Sequence, residues 1–429
     1  MKKASLLFCA LAAFGSACED GDAPSFDTNP DAAQMDASIA FGDASADAIS
    51  ADVRNDAAGP LGSTQPLSLV LLTHEFGFLN ESFRLPDVPD GQQMSLPAVG
   101  VLGSAVLEPF SALRQQLVAV AGAGYHVSWN QNVYEPMMLL TGHPYWRSPS
   151  ARPGDPPRAL GPSIDWLVGH HLRLDASPGA REVMVIGRPS FTFDASGNNV
   201  LAMNSFTDAA KAIVAETNCN IDVRPQASLT DGLAVWMDRA IPLLTSALLC
   251  DGPRVFALNL ARPSSQDFSF PGNLAQDAAH RIGVPGEDGR NARAVMQRYN
   301  AFVATQVARL GEALSTHQGR DGAPLLENTL VVWVGREGQP DHNPFPWHAI
   351  MLGGHKLGLA TGRYIALPQD TAFNTGTDVI NTGPPHNKLL TSVARLFGVD
   401  VDSIGAKSFV TKNGGTLDLT GHLPQLDRQ

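Results

Sequence analysis

This chain of 429 residues predicts an α/β fold, a mostly parallel sheet covered by helices on both faces. Three observations carry that expectation. Short apolar runs, several rich in β-branched residues, recur at 67–73, 117–121, 182–187, 254–260, 329–334 and 347–352, each long enough for a buried strand and too short for a helix. Between them lie stretches of helical period at 102–116, 164–172, 231–249, 292–314 and 386–397. Strands that alternate with helices pair in parallel, because each crossover lays a helix against a face of the sheet. No repeat and no Gly/Ser linker divides residues 66–429, a length that suits one large α/β domain or two small ones.

At the N-terminus, Lys2-Lys3, the apolar run 4–14 and the small residues Gly15-Ser16-Ala17 read as a secretory signal over 1–17. The run is too short to anchor in a bilayer, so processing is expected. Cleavage ahead of Cys18 is similar to bacterial lipoprotein processing and would leave a lipid on the Cys18 thiol; ordinary signal-peptidase cleavage after Ala17 is the alternative. The expected location is a bacterial cell envelope, outer membrane or periplasm, with the membrane as partner through Cys18; otherwise the protein is secreted. Of the 4 cysteines, Cys9 leaves with the signal and a lipidated Cys18 leaves Cys219 and Cys250 as an even pair. An oxidising compartment would join them; two buried free thiols are the other reading. No CxxC spacing supports a zinc knuckle.

Residues 19–59 form an Asp/Ala/Ser tract in which Arg54 is the only cation, and they hold most of the formal net charge of −12. So few large apolar groups cannot offset the chain entropy lost on folding, so 18–65 is expected to be a solvated tether. The remaining body is only mildly acidic, which gives it no electrostatic reason to bind nucleic acid.

Polar residues gather where the strand candidates end. Thr73, His74 and Glu75 follow the first. The segment GPSIDWLVGHHL reads as a helix start, with Ser163 as N-cap and Asp165 favoured at the positive end of the dipole. His170 and His171 are adjacent and point to different faces. DASGNN within 191–203 signals a hairpin. Cys219 and Cys250 bracket a helical stretch through Trp236, Ile241, Leu244 and Leu248, expected to be a stapled excursion.

After the strand at 254–260 come Asp267, Asp277 and His280. The last two stand at i,i+3 and would share one helix face able to hold a cation. Residues 292–314 make a packing helix through Val295, Tyr299, Val303 and Leu310. Glu337, Asp341 and His342 follow the strand at 329–334 in a Gly/Pro-bearing loop, ahead of the run that closes on Gly353-Gly354. In an open parallel sheet ligands collect outside the carboxyl ends of the strands, so these three form the leading site candidate. His386-Asn387-Lys388 opens the last helix behind Pro384-Pro385.

The stretch from Glu327 to Gly354, together with LSLVLLTHEFGFLNESF, YEPMMLLTGHP, GPSIDWLV and HNKLLTSVARLFGV, resembles the alkaline phosphatase and sulfatase superfamily. More closely, it is similar to a family of secreted bacterial proteins of unknown function related to that superfamily. The resemblance implies an alkaline phosphatase-like α/β fold and a metal-dependent hydrolase of phosphate or sulfate esters. It also implies a divalent metal, with zinc, manganese and calcium as the candidates. Glu75 would take the place of the first metal-binding acid, joined by Asp277, His280, Glu337, Asp341 and His342. Counting back from Thr141 puts Asn132 at the nucleophile position, where Ser, Thr or a modifiable Cys is required; Asn has no oxygen that can attack phosphorus or sulfur. Ser128 would serve only in a shifted register. A hydrolase with Asn132 would attack by water directly, and a non-catalytic surface lipoprotein with a binding role is the second reading.

Overall fold

The computed structural model describes residues 65–126, 138–143, 159–173, 181–187, 190–203, 205–217, 232–250, 252–260, 270, 272–374, 379–410 and 415–427. Cys18, Ser128, Asn132, Cys219 and Asp267 lie outside them.

Eight strands make the central sheet: β1 (Ser68–His74), β2 (Gln93–Ser95), β3 (Leu117–Ala123), β4 (Met184–Ile186), β5 (Val255–Asn259), β6 (Thr329–Gly335), β7 (Trp347–Gly353) and β8 (Arg363–Ala366). Their order is β2-β8-β3-β7-β6-β1-β5-β4. β1, β3, β4, β5, β6 and β8 run one way, while β2 and β7 run against them. The mostly parallel sheet is therefore as expected.

Side chains alternate between two cores, as the period of a strand requires. Val70, Leu72, Val331, Trp333, Ile350 and Leu352 face one core, with helices Leu233–Leu249 and Glu287–Thr316. Leu69, Leu71, Leu330, Val332, Ala349 and Met351 face the other, with helices Ile164–Arg173 and His386–Leu396. Both faces are covered, which explains why β1, β6 and β7 read as continuous apolar runs: every residue in them is buried.

Some local expectations fail for identifiable reasons. The helix expected over 102–116 begins only at Glu108 and is a 3-10 helix, because Gly103 has φ 76 and Pro109 sits in its first turn. Ser163 does hold the N-cap position, its carbonyl accepting from Leu167 N at 3.0 Å. Its hydroxyl accepts from Phe193 N at 2.9 Å. Asp165 stands in the first turn of its helix, as expected, but is fully buried and takes a hydrogen bond from Thr192 Oγ1; burial raises its pKa. The helix Leu233–Leu249 is no excursion either, since Trp236, Met237 and Leu244 lie in the main core. The hairpin expected over 191–203 is closed by a single bridge between Phe193 and Asn199.

Candidate functional site

β6 and β7 are consecutive in sequence and antiparallel neighbours in the sheet. Residues 336–346 therefore arch over the carboxyl edge between two central strands. The arch is held by its own polar groups: Gln339 N donates to Asn343 O at 2.8 Å, Phe345 N to Asn343 Oδ1 at 3.0 Å, and Gln339 Nε2 to Phe345 O at 2.8 Å. At its base Trp347 Nε1 donates to Gly335 O at 3.0 Å.

Glycine lets the arch touch the chain that leaves β1. A Cβ on Gly77 would meet Gln339 N at 2.5 Å and Glu337 O at 2.6 Å, so only a hydrogen fits there. Backbone packed on backbone leaves Glu337 little freedom. Its carboxylate, 2% exposed, enters the interior.

Glu337 Oε1 lies 2.7 Å from His342 Nδ1 and 3.6 Å from Arg336 Nη2. A buried carboxylate thus has two nitrogen partners to offset the loss of water around it. His342 turns its ring toward that carboxylate from an unusual backbone: at φ 65 it is the only non-glycine residue with positive φ among the described residues. Left-handed backbone in a side-chain-bearing residue tends to mark functional sites. The far nitrogen of the same ring, His342 Nε2, is 2.7 Å from His280 Nε2. Glu337 thus lies in close contact with His342, and His342 in turn meets the partly buried His280.

Burial lowers the His280 pKa, the neighbouring His342 ring lowers it further, and the Asp341 charge works in the opposite sense. Asp341 accordingly belongs to the electrostatic surroundings of the pair. Its Oδ1 also accepts from Asn343 N at 3.4 Å.

The other expected site residues are elsewhere or otherwise engaged. Asp277 Oδ2 accepts from Asn273 N at 2.8 Å, and Asn273 in turn caps Ala275 and Gln276. The shared helix face with His280 is absent, because a π turn at Leu274–Ala278 gives way to a 3-10 turn at Ala279–Arg281, with Ala278 at φ −128. Glu75 follows β1, where His74 is in register with Gly335, and so stands beside the start of the arch. His74 itself is buried in an aromatic nest and accepts from Trp333 Nε1 at 3.0 Å; burial lowers its pKa to about 3. It is a neutral core residue. His386, at the helix start, is fully buried against Tyr125 and Trp347 with a pKa lowered to about 4, again by burial. Arg336 was not singled out from the sequence, although a cation adjoining the strand-end glutamate was the available signal.

As they stand, His280 and His342 do not fit a shared zinc. Two imidazole nitrogens sharing one tetrahedral zinc at about 2.0–2.1 Å each stand about 3.3 Å apart, whereas the Nε2 atoms of His280 and His342 meet at hydrogen-bond distance, 2.7 Å. One oxygen of Asp277 already accepts from Asn273 N. Among the described residues no group of three or more His, Cys, Asp or Glu side chains is arranged to hold a metal ion.

No family model matches the sequence, and no curated protein matches it. Solved structures do. A 2-O GAG sulfatase shares 14% identity at a TM-score of 0.41, covering 79% of this chain and 72% of its own. The lipoteichoic acid synthase LtaP from Listeria monocytogenes shares 12% at 0.39, over 80% and 74%. The phosphonate monoester hydrolase of Agrobacterium radiobacter shares 14% at 0.38, over 70% of each chain. The activities in those names belong to those proteins.

Proposed function

We propose that this protein is a hydrolase of phosphate or sulfate esters that works by direct attack of water at the arch over the carboxyl edge of the sheet. The observation that carries the reading is the hydrogen bond between His280 and His342 with the Glu337 carboxylate 2.7 Å from the other nitrogen of the His342 ring. A buried carboxylate that orients an imidazole, with a second imidazole at the accessible end, is the arrangement of a general base; such groups contribute about 10²–10⁴-fold to a rate. Arg336, beside Glu337, brings to the arch a guanidinium, a group suited to anionic esters. The ester class follows from the sequence resemblance.

The test is turnover of p-nitrophenyl phosphate and p-nitrophenyl sulfate by the purified protein and by His280→Ala. We expect hydrolysis of at least one ester and a loss of about 10²-fold or more in the variant. Absence of turnover on both, or an unchanged rate in His280→Ala, overturns the proposal.

We further propose that the protein is exported and anchored by a lipid on Cys18, from the charged start, short apolar run and small residues that precede it. Among the described residues no helix is long and apolar enough to cross a membrane. Cys18→Ser should move the protein out of the membrane fraction. Unchanged partitioning, with no lipid mass on the wild type, counts against the anchor.

A further inference from the structure

We propose that the loop Pro97–Val101 rests in the surface of the phospholipid bilayer that holds the Cys18 lipid, so that the amino edge of the sheet faces the membrane and the arch faces away from it. The inference rests on the anchored reading above and adds which side of the body meets the lipid.

Two features share that edge. The segment 18–64 joins the body at Gln65, three residues ahead of β1. Gln65 is pinned there: its Nε2 donates to Leu248 O at 2.8 Å and its Oε1 accepts from Arg320 N at 3.0 Å. The loop leaves β2 at Ser95, in register with Arg363, the first residue of β8, and Leu96 N donates to Gly362 O at 2.8 Å. β1 and β2 stand five strand spacings apart in the sheet, about 24 Å along the edge.

The loop is uncharged and fully presented. All of its residues are exposed, Val99 at 82% and Val101 at 76%. Leu201 and Val379 are exposed to a similar degree but stand singly, which is ordinary on a surface; the two valines share one tip. Around that tip the space is open, since a Cβ on Gly100 would meet nothing within 4 Å.

The tip is also held. Arg114, itself buried, spends Nη1 on Pro97 O and Nη2 on Gly100 O, both at 2.9 Å, and Glu108 Oε2 accepts from Leu102 N at 2.7 Å. Two carbonyls that would otherwise need water are thus satisfied from inside the body, which lowers the cost of moving the tip into an apolar medium. A held tip has little freedom left to lose on contact.

Two valines are too few to bring a free protein to a bilayer. A lipid on Cys18 makes the contact intramolecular, and a weak contact then suffices. A solvated chain as long as 18–64 spans about 40 Å, so a tether alone lets either edge meet the bilayer. The loop makes the difference between the edges, and the arch is left to esters dissolved in the aqueous phase.

The experiment uses the full chain, processed in a bacterial envelope and reconstituted in vesicles of phosphatidylethanolamine and phosphatidylglycerol. A polarity-sensitive fluorophore is placed on Val99→Cys or, as the control, on Val379→Cys, in the strand whose Thr382 bonds His126 just past the carboxyl end of β3. We expect blue-shifted emission at position 99 and quenching by spin-labelled lipid at least about 2-fold stronger there than at 379. The contact should be insensitive to salt, because the loop carries no charge, and lost when Val101→Asp is added. Equal quenching at the two positions overturns the docking, while lipid mass on Cys18 keeps the anchor. A label at 99 that is shielded in detergent solution as well, in a particle of twice the mass of the chain, gives the loop to a second copy and also overturns the docking. A wild-type chain without lipid mass overturns the anchor, and the docking with it unless the label at 99 still meets the vesicles.

Discussion

His280 Nε2 and His342 Nε2 meet at 2.7 Å although 62 residues of chain separate them. Side chains in one hydrogen-bonded line are expected to act as a unit. Removing either ring should cost ester turnover about as much as removing both. His280→Ala, His342→Asn and the double variant, measured by kcat/KM on the same ester, check this; losses that multiply would mean independent roles.

His342 holds its ring in place from φ 65. Left-handed backbone costs a side-chain-bearing residue roughly 1–2 kcal/mol that glycine avoids. His342→Gly recovers that cost but takes a partner from the buried Glu337, so its denaturant midpoint should fall, though by less than that of His342→Ala, which loses the same partner and keeps the backbone cost. A glycine variant no more stable than the alanine variant would show that the left-handed backbone costs nothing here.

Gly77 is the counterpart of that strain on the neighbouring chain. A methyl group there would meet Gln339 N and the Gly338 carbonyl carbon at 2.5 Å. Overpacking against backbone has no flexible tip to yield, so Gly77→Ala should destabilise by about 1–3 kcal/mol and displace Glu337. Both effects are readable, as a lower midpoint and as lost turnover at a temperature where the variant is folded. A variant with wild-type stability and rate refutes the close packing.

Four buried imidazoles predict acid sensitivity. Burial lowers the pKa of His74, His126 and His348 to about 3 and that of His386 to about 4, from 6.5. The folded values lie below the unfolded one, so between them the unfolded chain binds more protons. Stability is then complete above pH 6.5 and falls as pH drops through the window down to 3–4. Each ring contributes up to about 1.4 kcal/mol per pH unit. Denaturant midpoints from pH 7 to pH 4 measure the slope, and a flat profile would contradict neutral burial.

Cys250 is disulfide-bonded. The expected partner is Cys219, which closes a loop of about thirty residues, worth roughly 3–4 kcal/mol in the chain-entropy model. Peptide mapping without reductant should recover the two cysteines in one linked peptide. Cys219 alkylated alone rules the pairing out.

Much of the fold was legible because buried strands announce themselves by apolar runs: β1, β6 and β7 were placed within a residue or two. β2 and β8 were not, since Gln93–Ser95 and Arg363–Ala366 are short and carry almost no β-branched residues. Glu337 and His342 were legible as a pair from their place after a strand. His280 was visible only as a residue type, and the helix face meant to join it to Asp277 does not survive the change from π to 3-10 geometry. The burial of His126 and His348 had no sequence signal, because an apolar pattern does not say which polar residues go inside with it. Arg336 and the glycine contact at Gly77 depend on which strands become neighbours, and spacing along the chain does not state that.

The pairing of β6 with β7, from Leu330 opposite Gly353 to Val334 opposite Ala349, also bears on how such a site can change over generations. Glu337, the hydrogen bonds within the arch and His342 are all encoded in one uninterrupted stretch, so a recombination that carries 329–353 carries that pair, while Gly77, against which the arch packs, must be supplied by the chain that follows β1. His280 arrives from a different part of the gene. New reactivity in descendants of this chain would therefore come most readily from drift in the segment around His280, with the arch inherited intact.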